Sequence, residues 1–218
     1  TGRKWLEERA RALIFPDGRF SQYSVIYHRM VLDTYALCEI WRRHWQLKPF
    51  SAQLQGRLGR AVTWLESLVD NQSSDAANLG ANDGTQIVKL SDASYRDFRP
   101  SLQRASLLFR ETRAIVSGGI WDDEAAWLGI CTDRPPEPPV RSITFNDGGY
   151  HVLRKGTAFA VLRYPRFRYR PAHADALHLD FWHDGVNLLR DGGSFSYNHP
   201  ESDDGYFASV RAHNTIEF

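Results

Sequence analysis

Cysteine is nearly absent: Cys38 and Cys131 are the only two in 218 residues. One falls on a helical pattern and the other beside a proline run, so they form neither a disulfide framework nor a metal-type spacing. Both read as apolar fillers, which leaves the redox compartment open. Long apolar runs are lacking as well, and with them any membrane-spanning segment or signal-like start. Charge of one sign is missing too, since 27 Lys and Arg face 26 Asp and Glu for a net charge of +1. That balance makes no demand for nucleic acid or an anionic membrane as partner. What remains is 42% hydrophobic and 13% aromatic residues, an ordinary soluble globular composition in a chain long enough for one large domain or two modest ones. Thr1 to Arg11 already has helical character, which suggests a piece of a longer protein.

Proline is concentrated in Asp133-Arg134-Pro135-Pro136-Glu137-Pro138-Pro139. Such a run forbids helix and favours extended backbone, so residues 134–140 read as a linker. Residues 1–133 on one side look helical; residues 141–218 on the other look like strands. In the first part Tyr27, Val31, Leu32, Tyr35 and Cys38 share one side of a helix expected over Val25–Trp45. Ser51 caps a second helix carrying Leu54, Leu58, Val62, Leu65 and Val69. A third helix follows Pro100 and a short one covers about Asp122–Leu128. In the second part Ser142–Phe145, Tyr150–Arg154 and Thr157–Tyr164 alternate as strands do, and a last strand is expected over Ala212–Phe218.

The stretch His173–Gly193 is the one that core packing does not explain. Leu177, Leu179, Phe181, Val186 and Leu188 alternate with polar residues around an Asp184-Gly185 turn, which predicts a hairpin with one buried face. Its outer ends bring His173 and Asp175 near Asp191, so an imidazole and two carboxylates converge. Farther back, Arg166, Arg168 and Arg170 alternate in a run that either clamps carboxylates and sulfates or defends a solvated edge strand.

Five segments together resemble the blocks of the heparinase II/III-like polysaccharide lyases. They are Phe20–Arg29, Asn78-Leu79-Gly80-Ala81-Asn82-Asp83-Gly84, His173-Ala174-Asp175-Ala176, Arg190–Tyr197 and Ala212-His213-Asn214-Thr215. The resemblance implies an α+β multidomain fold, an incomplete α/α toroid followed by an antiparallel β-sandwich, with a substrate cleft between them. It implies β-elimination at a uronic acid unit of an acidic polysaccharide, and a periplasmic or extracellular location.

By the same resemblance, His173 is the catalytic histidine of the sandwich side, and Asp175, Asp191 and His213 match positions that hold a divalent metal, usually zinc, in a structural role. On the helical side His28 and Tyr95 are the candidate catalytic groups. Gln22, Arg29, Asn82, Asp83 and Arg170 are candidate substrate contacts. Relatives commonly place Asn or His before the Tyr-His pair, where this chain has Ile26, which cannot donate a hydrogen bond. An inactive relative that binds acidic glycans is therefore the alternative, and a glycoside hydrolase, which needs two flanking carboxyl groups, is a further one. The chemistry of these types is apt in its own right: a proton alpha to a carboxylate is a poor acid, so a site that removes it needs donors on the carboxylate and a base near C5.

Overall fold

The computed structural model describes residues 2–164, 166, 173–194 and 205–217. Arg168 and Arg170 lie outside the described residues. Five α-helices come first: α1 (Gly2–Leu13), α2 (Val25–His44), α3 (Ala52–Ser67), α4 (Arg99–Phe109) and α5 (Asp123–Trp127). Five strands follow: β1 (Ile143–Phe145), β2 (Tyr150–Lys155), β3 (Ala158–Arg163), β4 (Leu179–His183) and β5 (Val186–Leu189). All neighbours pair antiparallel in the order β1-β2-β3-β4-β5. Among the described residues this is a single sheet, with no second sheet closing it into a sandwich.

Capping fixes the helix starts. Ser24 accepts from the Tyr27 amide at 3.1 Å, and Ser51 accepts from the Leu54 amide at 3.3 Å, each satisfying a donor that the first helical turn leaves orphaned. Ser24 also donates to the Ala81 carbonyl at 2.6 Å, so the same hydroxyl ties the Asn78–Gly84 segment to the head of α2. Gly80 makes that contact possible: it has φ +75°, and a Cβ there would sit 1.9 Å from the Tyr23 carbonyl oxygen.

Apolar residues from both halves form one core. Leu32, Leu58, Val62, Trp64 and Leu65 from the helices pack with Tyr150, Val152, Phe159, Val161 and Trp182 from the sheet. Trp64 meets Tyr150 edge to face at 5.4 Å. The Arg154 guanidinium crosses from β2 to the carbonyls of Ser67 and Val69 at the end of α3. Within the helical layer Arg104 of α4 is fully buried between Asp33 of α2 and Glu124 of α5. The proline run does not hang free: Arg113 donates its amide to the Pro135 carbonyl at 2.9 Å and accepts from the Glu137 amide at 2.8 Å. No helix among the described residues is long and apolar enough to cross a membrane.

Three sequence expectations change. The strand expected from His173 starts only at Leu179, because His173–His178 folds into a turn in which Leu177 takes φ +63°. The buried face of β4 is the opposite of the expected one: Asp180 and Trp182 point to the helical layer, while Leu179 and Phe181 lie on the half-exposed outer face. Burying Asp180 is tolerated because it is bonded, accepting from Trp182 Nε1 at 2.5 Å and lying near the Asn187 amide and the Asp191 backbone N–H, which offsets the cost of removing a carboxylate from water. The strand expected at Ala212–Phe218 does not form over its described residues: Ala212 closes a 3₁₀ turn over Val210–Ala212, and residues 213–217 continue through bends and irregular chain.

Candidate functional site

The hairpin brings its outer ends together, and the turn before it folds inward to meet them. His173, Asp191 and His213 offer one ligand atom each, all within 4.8 Å of one another. Asp191 Oδ2 and His213 Nε2 are 3.4 Å apart, and both side chains are fully buried. The rings of His173 and His213 stand edge to face at 5.4 Å.

Hydrogen bonds around this trio fix which atoms are used up and which are left. His213 Nδ1 lies 2.6 Å from the Ser209 carbonyl oxygen; a carbonyl only accepts, so Nδ1 carries the proton and the lone pair of the neutral ring is on Nε2. Asp191 Oδ1 accepts from the Gly193 amide at 2.7 Å, which leaves Oδ2 over. Among the described residues, His213 Nε2, Asp191 Oδ2 and His173 Nδ1 are then three buried polar atoms with no hydrogen-bond partner. Native interiors rarely leave such atoms unpaired, and two imidazole nitrogens with one carboxylate oxygen make a donor set that suits zinc. The residues fit a divalent cation.

Asp175 is not part of this trio. Its carboxylate is fully buried against the Arg163 guanidinium instead, so the expectation of Asp175 as a metal ligand is corrected: His173 supplies the third donor. His178 was missed altogether, because a strand reading placed it on the far face. Its Nδ1 accepts from the Asn214 amide at 3.0 Å, so its proton sits on Nε2, which points between Asp180 and Asp191 at 3.8 and 3.9 Å. Burial holds His173 well below the ordinary histidine range, to about 4, with His213 and Arg163 pushing the same way.

The helical half meets the sheet half at this same place. Gly193 has φ +67°, and a Cβ there would lie 2.1 Å from Asn78 Nδ2. The Asn82 amide reaches Ser194 Oγ at 3.3 Å, and Asn82 Oδ1 accepts from the Tyr95 hydroxyl at 2.7 Å. Tyr95 is half-buried and joined to the Asp191–Ser194 segment through a single asparagine. Asn78 and Ser194 were inside the segments that carried the resemblance but were not singled out. Burial raises the Tyr95 phenol above its ordinary value, opposed by the charges of Arg29 and Arg96. Asp83 is exposed; its hydrogen bonds from Thr85 and Tyr27 outweigh burial and hold its carboxyl below the usual range. Gln22 is exposed.

Two helical-side expectations are corrected. His28 is buried in the core, stacked on Trp64 at 4.4 Å with Nε2 donating to the Ala61 carbonyl at 2.8 Å, and faces no opening. Arg29 is buried as well: its guanidinium donates to the carbonyls of Tyr95 at 2.7 Å and Thr85 at 3.1 Å and lies over the Tyr95 and Phe98 rings. It supports the loop that presents Tyr95 and Asn82 rather than meeting a substrate. Both outcomes follow from one fact: α2 is covered on several sides, so even its polar residues turn inward. Trp182 packs in the core, and one face of Trp121 is covered by the Arg99 guanidinium at 4.1 Å.

The burial of His28 has a measurable cost in acid. Desolvation lowers its pKa from 6.5 to about 4, with Arg19 adding to the effect and the bond to Ala61 opposing it. Above pH 6.5 the ring is neutral whether the chain is folded or not, and the full stability is present. As the pH falls from 6.5 to 4 the unfolded chain takes up a proton that the folded chain refuses, and about 3 kcal/mol is lost. Urea unfolding at pH 7 and pH 4.5 should show this as a wild-type loss that His28→Gln does not share; parallel pH profiles would remove His28 as the cause.

Comparison with known proteins gives a consistent picture. Residues 137–218 match the family described as heparinase II/III-like, C-terminal. No curated protein is significantly similar to the sequence. Among solved structures, a heparan sulfate lyase from Pedobacter heparinus superposes with a TM-score of 0.65 at 18% identity, over 92% of this chain and 29% of that one. A heparinase III with methylated lysines gives 0.70 at 14%, over 98% and 31%. Another heparinase III structure gives 0.67 at 15%, over 98% and 34%. The chain shares its fold with these proteins along nearly its whole length and spans about a third of theirs.

Proposed function

We propose that this chain is the part of a polysaccharide lyase that carries the join between toroid and β-sandwich, and that it cleaves a uronic-acid-containing glycan by β-elimination. The observation that carries the proposal is the meeting of a His-Asp-His trio on the sheet side with the Asn82–Tyr95 pair on the helical side through Ser194. The match of residues 137–218 and the shared fold of proteins that are heparan sulfate lyases and heparinases support it.

In such a reaction a base removes the proton at C5, the C4–O bond breaks, a C4=C5 double bond forms, and the departing oxygen takes a proton. Tyr95 is assigned the proton transfer. As phenolate it takes the C5 proton, and the phenol so formed can return that proton to the departing oxygen, which restores the starting state. Arg29 and Arg96 favour the phenolate and burial opposes it, so activity should rise toward alkaline pH. Asn82, bonded to the Tyr95 hydroxyl, orients it. His173 is the sheet-side donor to the uronate carboxylate, which acidifies the C5 proton. Zinc held by His173, Asp191 and His213 would supply a structural tie between the turn, the hairpin and the His213 segment. The partner is an acidic polysaccharide, and the location is periplasmic or extracellular.

The test is incubation of the full-length protein with a panel of uronate polymers, heparan sulfate among them, while following the ultraviolet absorbance of the new double bond. A lyase produces that chromophore. New reducing ends without it would mark a hydrolase, and binding without either product would mark a relative that holds glycans but does not cut them; both would overturn the proposal.

A further inference from the structure

Arg163 and Asp175 form an ion pair whose side chains are 1% and 0% exposed. Arg163 ends β3, directly across from Tyr150 in the sheet register, and its guanidinium lies 4.7 Å from the centre of the Tyr23 ring in the helical half. Its backbone amide donates to the His178 carbonyl at 2.9 Å. Asp175 sits two residues after His173, in the middle of the turn that precedes β4. The same turn is fastened at two further points: the Ala174 amide donates to the Ala208 carbonyl at 2.8 Å, and the Thr215 hydroxyl donates to the Ala176 carbonyl.

We infer that Asp175 is a positioning residue, and that its ion pair with Arg163 sets where His173 Nδ1 stands in the metal-binding trio. This rests on the reading of that trio as a zinc site. Three observations lead to it. The turn has no strand pairing of its own to fix its shape, since β4 begins only at Leu179. The only buried charge within the turn is the Asp175 carboxylate, and Arg163 is the cation that meets it. Arg163 is itself held in place, because it closes a paired strand and lies against Tyr23, so the geometry of the paired sheet is handed to the turn through this ion pair together with the bond from the Arg163 amide to the His178 carbonyl. The Arg163 guanidinium is also buried near the trio, and with Asp175 paired to it a dication faces a neutral pair rather than a lone positive charge. The pair also keeps the Asp175 carboxylate out of the ligand set, which then stays at two imidazoles and one carboxylate, a set that favours zinc over the oxygen-seeking calcium and magnesium.

Zinc affinity measured by chelator competition on the full chain tests this directly. Outer-shell partners of metal ligands typically contribute 10–100-fold to affinity. Asp175→Asn and Arg163→Met should each weaken zinc binding by about that factor, and the double variant should be no weaker than the worse single one, because the two residues act as a unit. Arg163→Lys should recover part of the loss. A buried charge left alone can prevent folding, so Arg163→Met with Asp175→Leu, which removes both charges together, supplies the folded comparison; it should keep the thermal stability of the wild type and still show the weakened affinity. If Asp175→Asn abolishes zinc binding while Arg163→Met leaves it intact, Asp175 is a ligand and the inference is overturned. Unchanged affinity in the folded Arg163→Met with Asp175→Leu variant overturns it as well, while leaving the zinc site standing. A wild-type chain that binds no zinc overturns both.

Discussion

Tyr95→Phe should lower the rate of uronate elimination by roughly 10²–10⁴-fold, the range over which a positioned acid or base contributes, with KM changed little. The phenyl ring keeps the packing over Arg29 and loses only the hydroxyl that bonds Asn82. The fold should therefore survive, and the loss should fall on kcat. Asn82→Ala gives the companion result: the hydroxyl remains but its orientation is released, so the loss should be smaller and the alkaline rise in activity should shift. The decisive measurement is steady-state kinetics of both variants from pH 6 to pH 10 on whichever polymer the wild type cleaves. A Tyr95→Phe variant with wild-type kcat would take proton transfer away from this residue.

His213→Ala should cost zinc affinity at least ~100-fold, above the range for outer-shell partners, because it removes a donor atom itself. The Ser209 carbonyl holds the His213 proton on Nδ1 and so leaves Nε2 as a lone-pair donor before any metal arrives. Asp191 is prepared in the same manner, with one carboxylate oxygen taken by the Gly193 amide and the other left over. Binding to the folded state alone also stabilises it, by about 2.7 kcal/mol at a free zinc concentration one hundred times Kd. Thermal melts with and without zinc should thus differ for the wild type and coincide for His213→Ala. Metal analysis of protein purified without chelator provides the independent check, and a stoichiometric zinc content retained by the variant would rule out His213 as a ligand.

Much of the fold could be read from the sequence because its signals are local. The Ser51 cap, the apolar stripe of α2 and the Asp184-Gly185 turn each act within a few residues, and each marks the element found there. The prolines of residues 135–139 are a local signal too, whereas the hydrogen bonds between Arg113 and the backbone of Pro135 and Glu137 are not. What could not be read was decided by partners far along the chain. Period-two alternation around Leu179 and Phe181 implied that these face the core, yet Asp180 takes the inside because Trp182, Asn187 and the Asp191 amide arrive to bond it. Asp175 and Asp191 look alike as sequence; what separates them is Arg163, twelve residues before Asp175, whose guanidinium meets the Asp175 carboxylate, while Asp191 turns Oδ2 to His213. His28 follows the same rule, since the resemblance implied a catalytic group facing a cleft and the Ala61 carbonyl makes an interior place possible.

Gly193 and Asn78 meet across the seam between helices and sheet with no room for a Cβ on the glycine. A methyl group at position 193 would act as a wedge against Asn78, beside the Asn82–Ser194 contact where the Tyr95 loop and the His-Asp-His trio share a boundary. Sequence drift in either half is thereby disciplined by the other: a bulkier residue here would spoil the alignment of two chemistries at once, without altering any group that performs them.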